Sequence, residues 1–316
     1  MSTPEPTADL TGLDGAPAQA APAVDGHPPV LRTLIRRELW EHRALWIAPL
    51  SVAALLLFAA TFGRISFDAG MAALPEQGRA LFFGAVMSLA GLPQYITLGI
   101  ITWMYAADCL YTERKDRSIL FWKSMPVSDG LTVLSKVLLV MVLVPLGVYL
   151  VSALTTVLMA GIYTVRAWHD HTGGMFWDTS TWLRTQGIIF IAMLAGVLWY
   201  APLTAYLMLL SAWARRSVQL WVFLPPVVLV AMERMALGTH HVWDILLYRL
   251  GAVFVRGGFT MPGPANGAGQ HPTLNLMVAN IDPWPVFANA DLWLGALVAV
   301  LLIVATIRIR QYRDDT

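Results

Sequence analysis

The chain has 316 residues, 57% of them hydrophobic and 13% charged, with 21 Lys and Arg against 20 Asp and Glu. Soluble domains carry about 25% charged residues; at 13% charged and a mean hydropathy of +0.60, this chain has too little polar surface for an ordinary soluble enzyme and too much apolar content for a disordered protein. A net charge of +1 supplies no field for phosphate and argues against a nucleic-acid partner. The single cysteine, Cys109, excludes an intrachain disulfide and a zinc site built on several thiolates. A polytopic, all-α membrane protein fits.

Residues 1–29 are rich in Ala, Pro, Asp, Gly and Thr, without Lys or Arg. They lack the positive start and apolar run of a secretory signal, and their composition predicts a disordered tail. Residues 31–43 follow as LRTLIRRELWEHR. Leu31, Leu34, Ile35 and Leu39 fall on one helical stripe, with Arg32, Arg36 and Arg43 beside it and Arg37 on the far side. This pattern predicts a short basic helix in the membrane interface, close to anionic headgroups.

Six apolar stretches follow, at about 44–62, 81–107, 137–165, 187–214, 217–237 and 292–307. A span needs about 20 apolar residues; the first four stretches approach or exceed that, and the last two are marginal in length but rich in strongly inserting Leu, Val and Phe. With six spans, one side of the membrane receives 14 basic residues and the other seven. The excess of Lys and Arg places both termini in the cytoplasm.

The outer connections differ in character. Residues 166–186 contain His169-Asp170-His171 and three Trp. Within the long 238–291 segment, the spacing of Val242, Ile245, Leu246, Leu250 and Val253 predicts an amphipathic or re-entrant helix, followed by Gly- and Pro-rich chain over 257–275. Glu233 and Arg234 read as a self-paired outer boundary of the fifth span. The adjacent histidines, lacking a third or fourth ligand at fixed geometry, read as solvated loop and not as a metal site.

No GxxxxGK[ST] phosphate loop, GxGxxG fingerprint, HExxH helix or GxSxG elbow is present. The chain thus has no visible means of hydrolysing ATP, and no catalytic residues are assigned. Polar groups within the spans are few: Gln94, Thr97 and Thr102 in the second, Thr204 in the fourth, with Pro93, Pro145, Pro202 and Pro225-Pro226 as candidate kinks. Buried charge looks scarce, which disfavours an ion-coupled pump and suits a lipid-like, amphipathic or peptide substrate.

The most informative stretch joins the second and third spans, beginning at Glu113 and continuing as ERKDRSILFWKSMPVSDGLTVLSK to Lys136. It is dense in both charges, apolar and aromatic over Ile119–Trp122, broken at Pro126, and offers Ser128 or Asp129 to cap the next helix. Exposed Phe121 and Trp122 between charged residues make a docking element, the aromatics supplying buried area and the charges register.

This run resembles the cytoplasmic loop of ABC-2 type transporter permeases, the membrane subunits of bacterial ABC exporters. The order of an interfacial N-terminal helix, six spans and a long external segment before the last span agrees over roughly residues 30–313. The resemblance implies a non-enzymatic permease in the inner membrane, paired with a second copy or a paralogue. The two permeases would meet near spans two and five. ATP and Mg²⁺ would be bound by a separate cytosolic ATPase and not by this chain. Residues 113–129 would then form the coupling helix, with Glu113, Arg117, Phe121, Trp122 and Pro126 engaging the ATPase. Gln94, Thr97, Thr102 and Thr204 are the candidates for a substrate path. Two other function classes fit the same composition: a membrane-embedded lipid-modifying enzyme using outer His and Asp residues, and a non-transporting membrane scaffold or sensor accessory.

Overall fold

The computed structural model describes residues 30–63, 83, 87, 89–115, 128–169, 179–214, 217–251 and 282–312. These residues are arranged as helices: α1 Val30–Glu41, α2 Ala44–Phe62, α3 Leu92–Asp108, α4 Tyr111–Lys115, α5 Asp129–His169, α6 Thr179–Trp213, α7 Val218–Leu237, α8 His241–Leu250, α9 Pro285–Ala288 and α10 Ala290–Tyr312. The tail 1–29, the segment 116–127 and residues 252–281 lie outside the described residues.

Five helices, α2, α5, α6, α7 and α10, are long and apolar enough to cross a membrane. The protein is therefore an all-helical chain of multi-pass membrane character. The described part of α3 has 17 residues, or about 26 Å at 1.5 Å per residue, slightly less than a hydrocarbon core of about 30 Å. α6, with 35 residues, reaches about 52 Å. Its first turns, TSTWLRTQ, carry the polar groups, so the surplus length lies at that end.

α6 and α10 pack closely because their facing residues are small. Ala201 and Ala205, one turn apart on α6, meet Ala299 on α10, an arrangement that lets two backbones approach and gain dispersion contact where lipid supplies no hydrophobic drive. α2 lies against α5 and α3, and α3 against α6. A larger core of Ile101, Tyr105, Val133, Leu139, Val148, Leu207 and Met208 fills the end of the bundle near α1.

α5 contains a π turn at Leu139–Leu143, where the Val144 amide donates to the Leu139 carbonyl. Pro145 explains it. Proline has no amide for the carbonyl of residue 141, and its ring crowds that carbonyl, so the turn before it widens.

Arginines satisfy carbonyls at two helix ends. Arg166, late in α5, donates to the carbonyls of Ala60 at 2.7 Å and Gly63 at 2.8 Å, at the end of α2. Arg114 donates to the carbonyls of Ser211 and Ala214, at the end of α6. The last carbonyls of a helix have no partner within it, and a cation there also complements the helix dipole.

On the other side, α8 is docked by its last turn. The Trp199 ring is fully buried, lies 5.3 Å from Tyr248 and has the Arg249 guanidinium 4.8 Å above it. Its indole N–H donates to the Arg249 carbonyl at 3.1 Å, and the Tyr248 hydroxyl donates to Asp291 at 2.8 Å. The helix expected in this segment is thus present over His241–Leu250. Glu233 departs from its expected pairing with Arg234. Its carboxylate accepts from the Thr239 hydroxyl at 2.6 Å and from the amides of His241 and Val242 at 2.7 Å each, capping α8. Gly238, at φ 65°, gives the left-handed turn that ends α7 and brings α8 back within reach.

A buried ionic cluster as candidate functional site

Four helices bring charged groups to one place at the α1 end of the bundle. Glu38 sits one turn after Leu34 on the inward face of α1, so it is carried into the interior with that leucine. Glu113 lies in α4. Lys136 is near the start of α5, and Arg310 is in the last turn of α10. Their exposures are 1%, 5%, 0% and 7%. Charges this deep require partners, because removing an ion from water costs several kcal/mol.

The partners are all present. The Lys136 ammonium lies 2.6 Å from Glu38 and 3.1 Å from Glu113. Arg310 donates through Nη1 to Glu113 at 2.7 Å and through Nε to Asp129 at 2.8 Å. Arg37 reaches Glu113 at 3.1 Å and its helical neighbour Glu41 at 2.6 Å. The remaining oxygen of Glu38 accepts from the Tyr105 hydroxyl at 2.9 Å. Two buried acids are thus neutralised by two buried bases, with Arg37 and Asp129 on the rim. Burial by itself raises the Glu113 pKa, but the Lys136 ammonium and the Arg310 guanidinium outweigh it and hold the carboxyl at about 2, against an ordinary 4.5.

Local structure fixes these positions. Ser128 caps α5, its hydroxyl accepting from the Leu131 amide at 3.2 Å. Asp129 then begins the helix, and Lys136, two turns later, shares its face. The Ser211 hydroxyl accepts from the amides of Leu110 and Tyr111 at 3.0 Å each, so α4 is tied to the end of α6 as well as to the cluster. His42 packs edge-on against Tyr105 at 4.8 Å.

Of the coupling residues expected from the sequence, Glu113 is found inside this cluster. Arg117, Phe121, Trp122 and Pro126 lie outside the described residues. The four path candidates do not form one hydrogen-bonded site. Gln94 is fully buried and its amide donates to the Thr155 hydroxyl at 3.0 Å, across the α3–α5 contact. Thr97 and Thr204 donate to carbonyls of their own helices, Pro93 at 2.8 Å and Tyr200 at 3.2 Å. Thr102 is half-buried.

The cluster itself was not foreseen. By sequence Lys136 and Arg310 count only among the 14 basic residues that set the cytoplasmic side, and buried charge is expected to be scarce. The one available signal was Glu38, an acid among Leu34, Ile35 and Leu39 on the apolar side of an interfacial helix.

Glu38, Glu41 and His42 bring ligand atoms within 4.8 Å of one another. Lys136 already sits on Glu38 and Arg37 on Glu41, so a metal ion would have to displace a buried ammonium and a guanidinium. The arrangement is that of an ion-paired strut joining α1, α4, α5 and α10. No family model, curated protein or solved structure matches this chain.

Proposed function

We propose that the chain is the permease subunit of an ATP-driven exporter, moving a lipid-like, amphipathic or peptide substrate while a separate cytosolic ATPase hydrolyses ATP. The observation that carries this reading is the anchoring of residues 116–127 at both ends. Glu113 before the segment and Asp129 after it hold the same Arg310 guanidinium, at 2.7 and 2.8 Å. Through Glu113 and Lys136 the same network reaches Glu38 on α1. A push on the segment therefore reaches α10 through Glu113 and Asp129, and α5 and α1 through the buried Glu113–Lys136–Glu38 pairs, where the low dielectric strengthens each contact. That is the mechanical property a coupling element needs.

In this reading Arg117, Phe121, Trp122 and Pro126 meet the ATPase, and Glu113 fixes the root of the segment. The chain crosses the bilayer six times with both termini in the cytosol, the 81–107 stretch supplying the additional span. It pairs with a second copy or a paralogue and works in a bacterial inner membrane. ATP and Mg²⁺ are held by the partner, and this chain contributes no catalytic group. Gln94 is the strongest of the path candidates, being fully buried between two helices.

The test is affinity purification of the tagged chain from its native membrane in mild detergent, with mass spectrometry of what accompanies it. A stoichiometric P-loop ATPase is expected. Phe121→Ala with Trp122→Ala loses it while leaving the thermal unfolding midpoint unchanged. A folded chain that arrives alone overturns the reading and moves the weight to a lipid-modifying enzyme or a scaffold.

A further inference from the structure

The outward side of α1 differs from what its amphipathic pattern suggests. Three residues of the apolar stripe face the bundle: Leu34 is buried, and Ile35 and Leu39 pack on its core. The face left outside carries Arg32, Arg36 and Trp40 at four-residue spacing, with Arg43 at the joint to α2. All three arginines are exposed, and none has an ion-pair or hydrogen-bond partner among the described residues. Trp40 is 62% exposed. Beyond the joint, α2 continues with Trp46, Ile47 and Leu50, all exposed, along an apolar span. A basic row beside an indole, immediately before the lipid-facing flank of a membrane helix, lies at headgroup depth.

The geometry points to a binding surface for anionic phospholipid on α1, in which Arg32, Arg36 and Arg43 hold headgroup phosphates and Trp40 lies at the acyl boundary. Guanidinium forks suit phosphate oxygens, exposed indoles favour the interface, and basic residues beside a membrane attract its anionic headgroups. The occupant is a lipid and not a soluble anion because the arginine row runs on into exposed apolar side chains of α2, and only a molecule that joins a phosphate to an acyl chain covers both. The same α1 carries Glu38 into the ionic cluster, so headgroup binding outside and ion pairing inside share one rigid turn. This surface requires only that α2 lies in a bilayer; it does not depend on the exporter reading.

The full chain, stripped of lipid in detergent, is offered equal amounts of dioleoyl phosphatidylglycerol and dioleoyl phosphatidylcholine, and retained lipid is counted by native mass spectrometry. Wild type retains the anionic lipid in roughly hundredfold excess, the scale set by three such arginines. The Arg32→Gln/Arg36→Gln/Arg43→Gln variant falls to near parity, while Arg308→Gln, an exposed arginine on α10, keeps the excess. Raising salt to 1 M, where screening acts over about 3 Å, lowers the wild-type preference; that measurement stands even where the triple variant does not fold. A wild type without preference, a triple variant that keeps it, or an equal loss in Arg308→Gln overturns the assignment. So does a triple variant that keeps its lipid but loses a co-purifying protein, which would make the stripe a protein-docking face.

Discussion

Lys136 is the residue on which the charge balance of the cluster turns. It is fully buried and contacts both Glu38 and Glu113. Lys136→Met keeps most of the volume but leaves two carboxylates facing each other across a dry gap. Removing one partner of a buried pair costs about 3–5 kcal/mol, so the thermal unfolding midpoint in detergent drops sharply. A loss below about 1 kcal/mol, the scale of an exposed pair, would show that water reaches the site. The pH dependence follows from Glu113, whose pKa is lowered from 4.5 to about 2. The unfolded chain takes up this proton near 4.5 and the folded chain only near 2, so the contribution of Glu113 is complete above that window. It is lost as the pH falls through it. Glu113→Gln is less stable at neutral pH and shows a flatter acid limb, measurable as unfolding midpoint against pH for the two proteins.

At the scale of elements, the α6–α10–α8 junction makes a sharper prediction than any single helix. A β-carbon on Gly295 would collide with the Arg249 guanidinium, which donates to the Asp291 carbonyl and lies over Trp199. Gly295→Ala therefore pushes the mobile end of the Arg249 side chain aside and forfeits its contacts, a cost of about 1 kcal/mol that the better helix propensity of alanine offsets in part. Combining it with Arg249→Ala relieves the clash, so the double variant loses less than the two single losses added together. Additive losses would place the cost in the helix contact and not in the arginine. These elements also show what was legible in the sequence. α2 was expected over 44–62 and is found as Ala44–Phe62, because uncharged apolar chain between charged flanks marks both helix and span. α5 starts at Asp129, although its apolar stretch starts near 137. Hydropathy marks where the chain meets lipid, whereas the Ser128 cap marks where the helix begins. The ionic cluster was hidden for a different reason. Glu38 and Lys136 are 98 residues apart and Glu113 and Arg310 are 197 apart. Each charge alone resembles an ordinary interfacial residue; only the packing of α1 and α10 against the start of α5 makes them partners.

For the whole molecule, the interactions at helix ends divide the bundle into two sides. Glu38, Glu113, Lys136 and Arg310 gather at one, and Arg166 joins the ends of α5 and α2 away from them. In the six-span arrangement the cluster side is cytosolic and the Arg166 side external. Accessibility of introduced cysteines tests this directly, because the native Cys109 is only 1% exposed and stays silent. Tyr312 and Trp168, at polar helix ends outside the apolar stretches, are exposed at 76% and 81%, so each tolerates replacement by cysteine and presents it to reagent. In right-side-out vesicles, a membrane-impermeant maleimide labels Trp168→Cys at once, and labels Tyr312→Cys only after the membrane is opened. Labelling of Tyr312→Cys together with Trp168→Cys would mean an even number of crossings between the end of α5 and the end of α10. α10 would then run opposite to the required direction, and the strut through Arg310 could not stand on the same side as the segment it is proposed to couple.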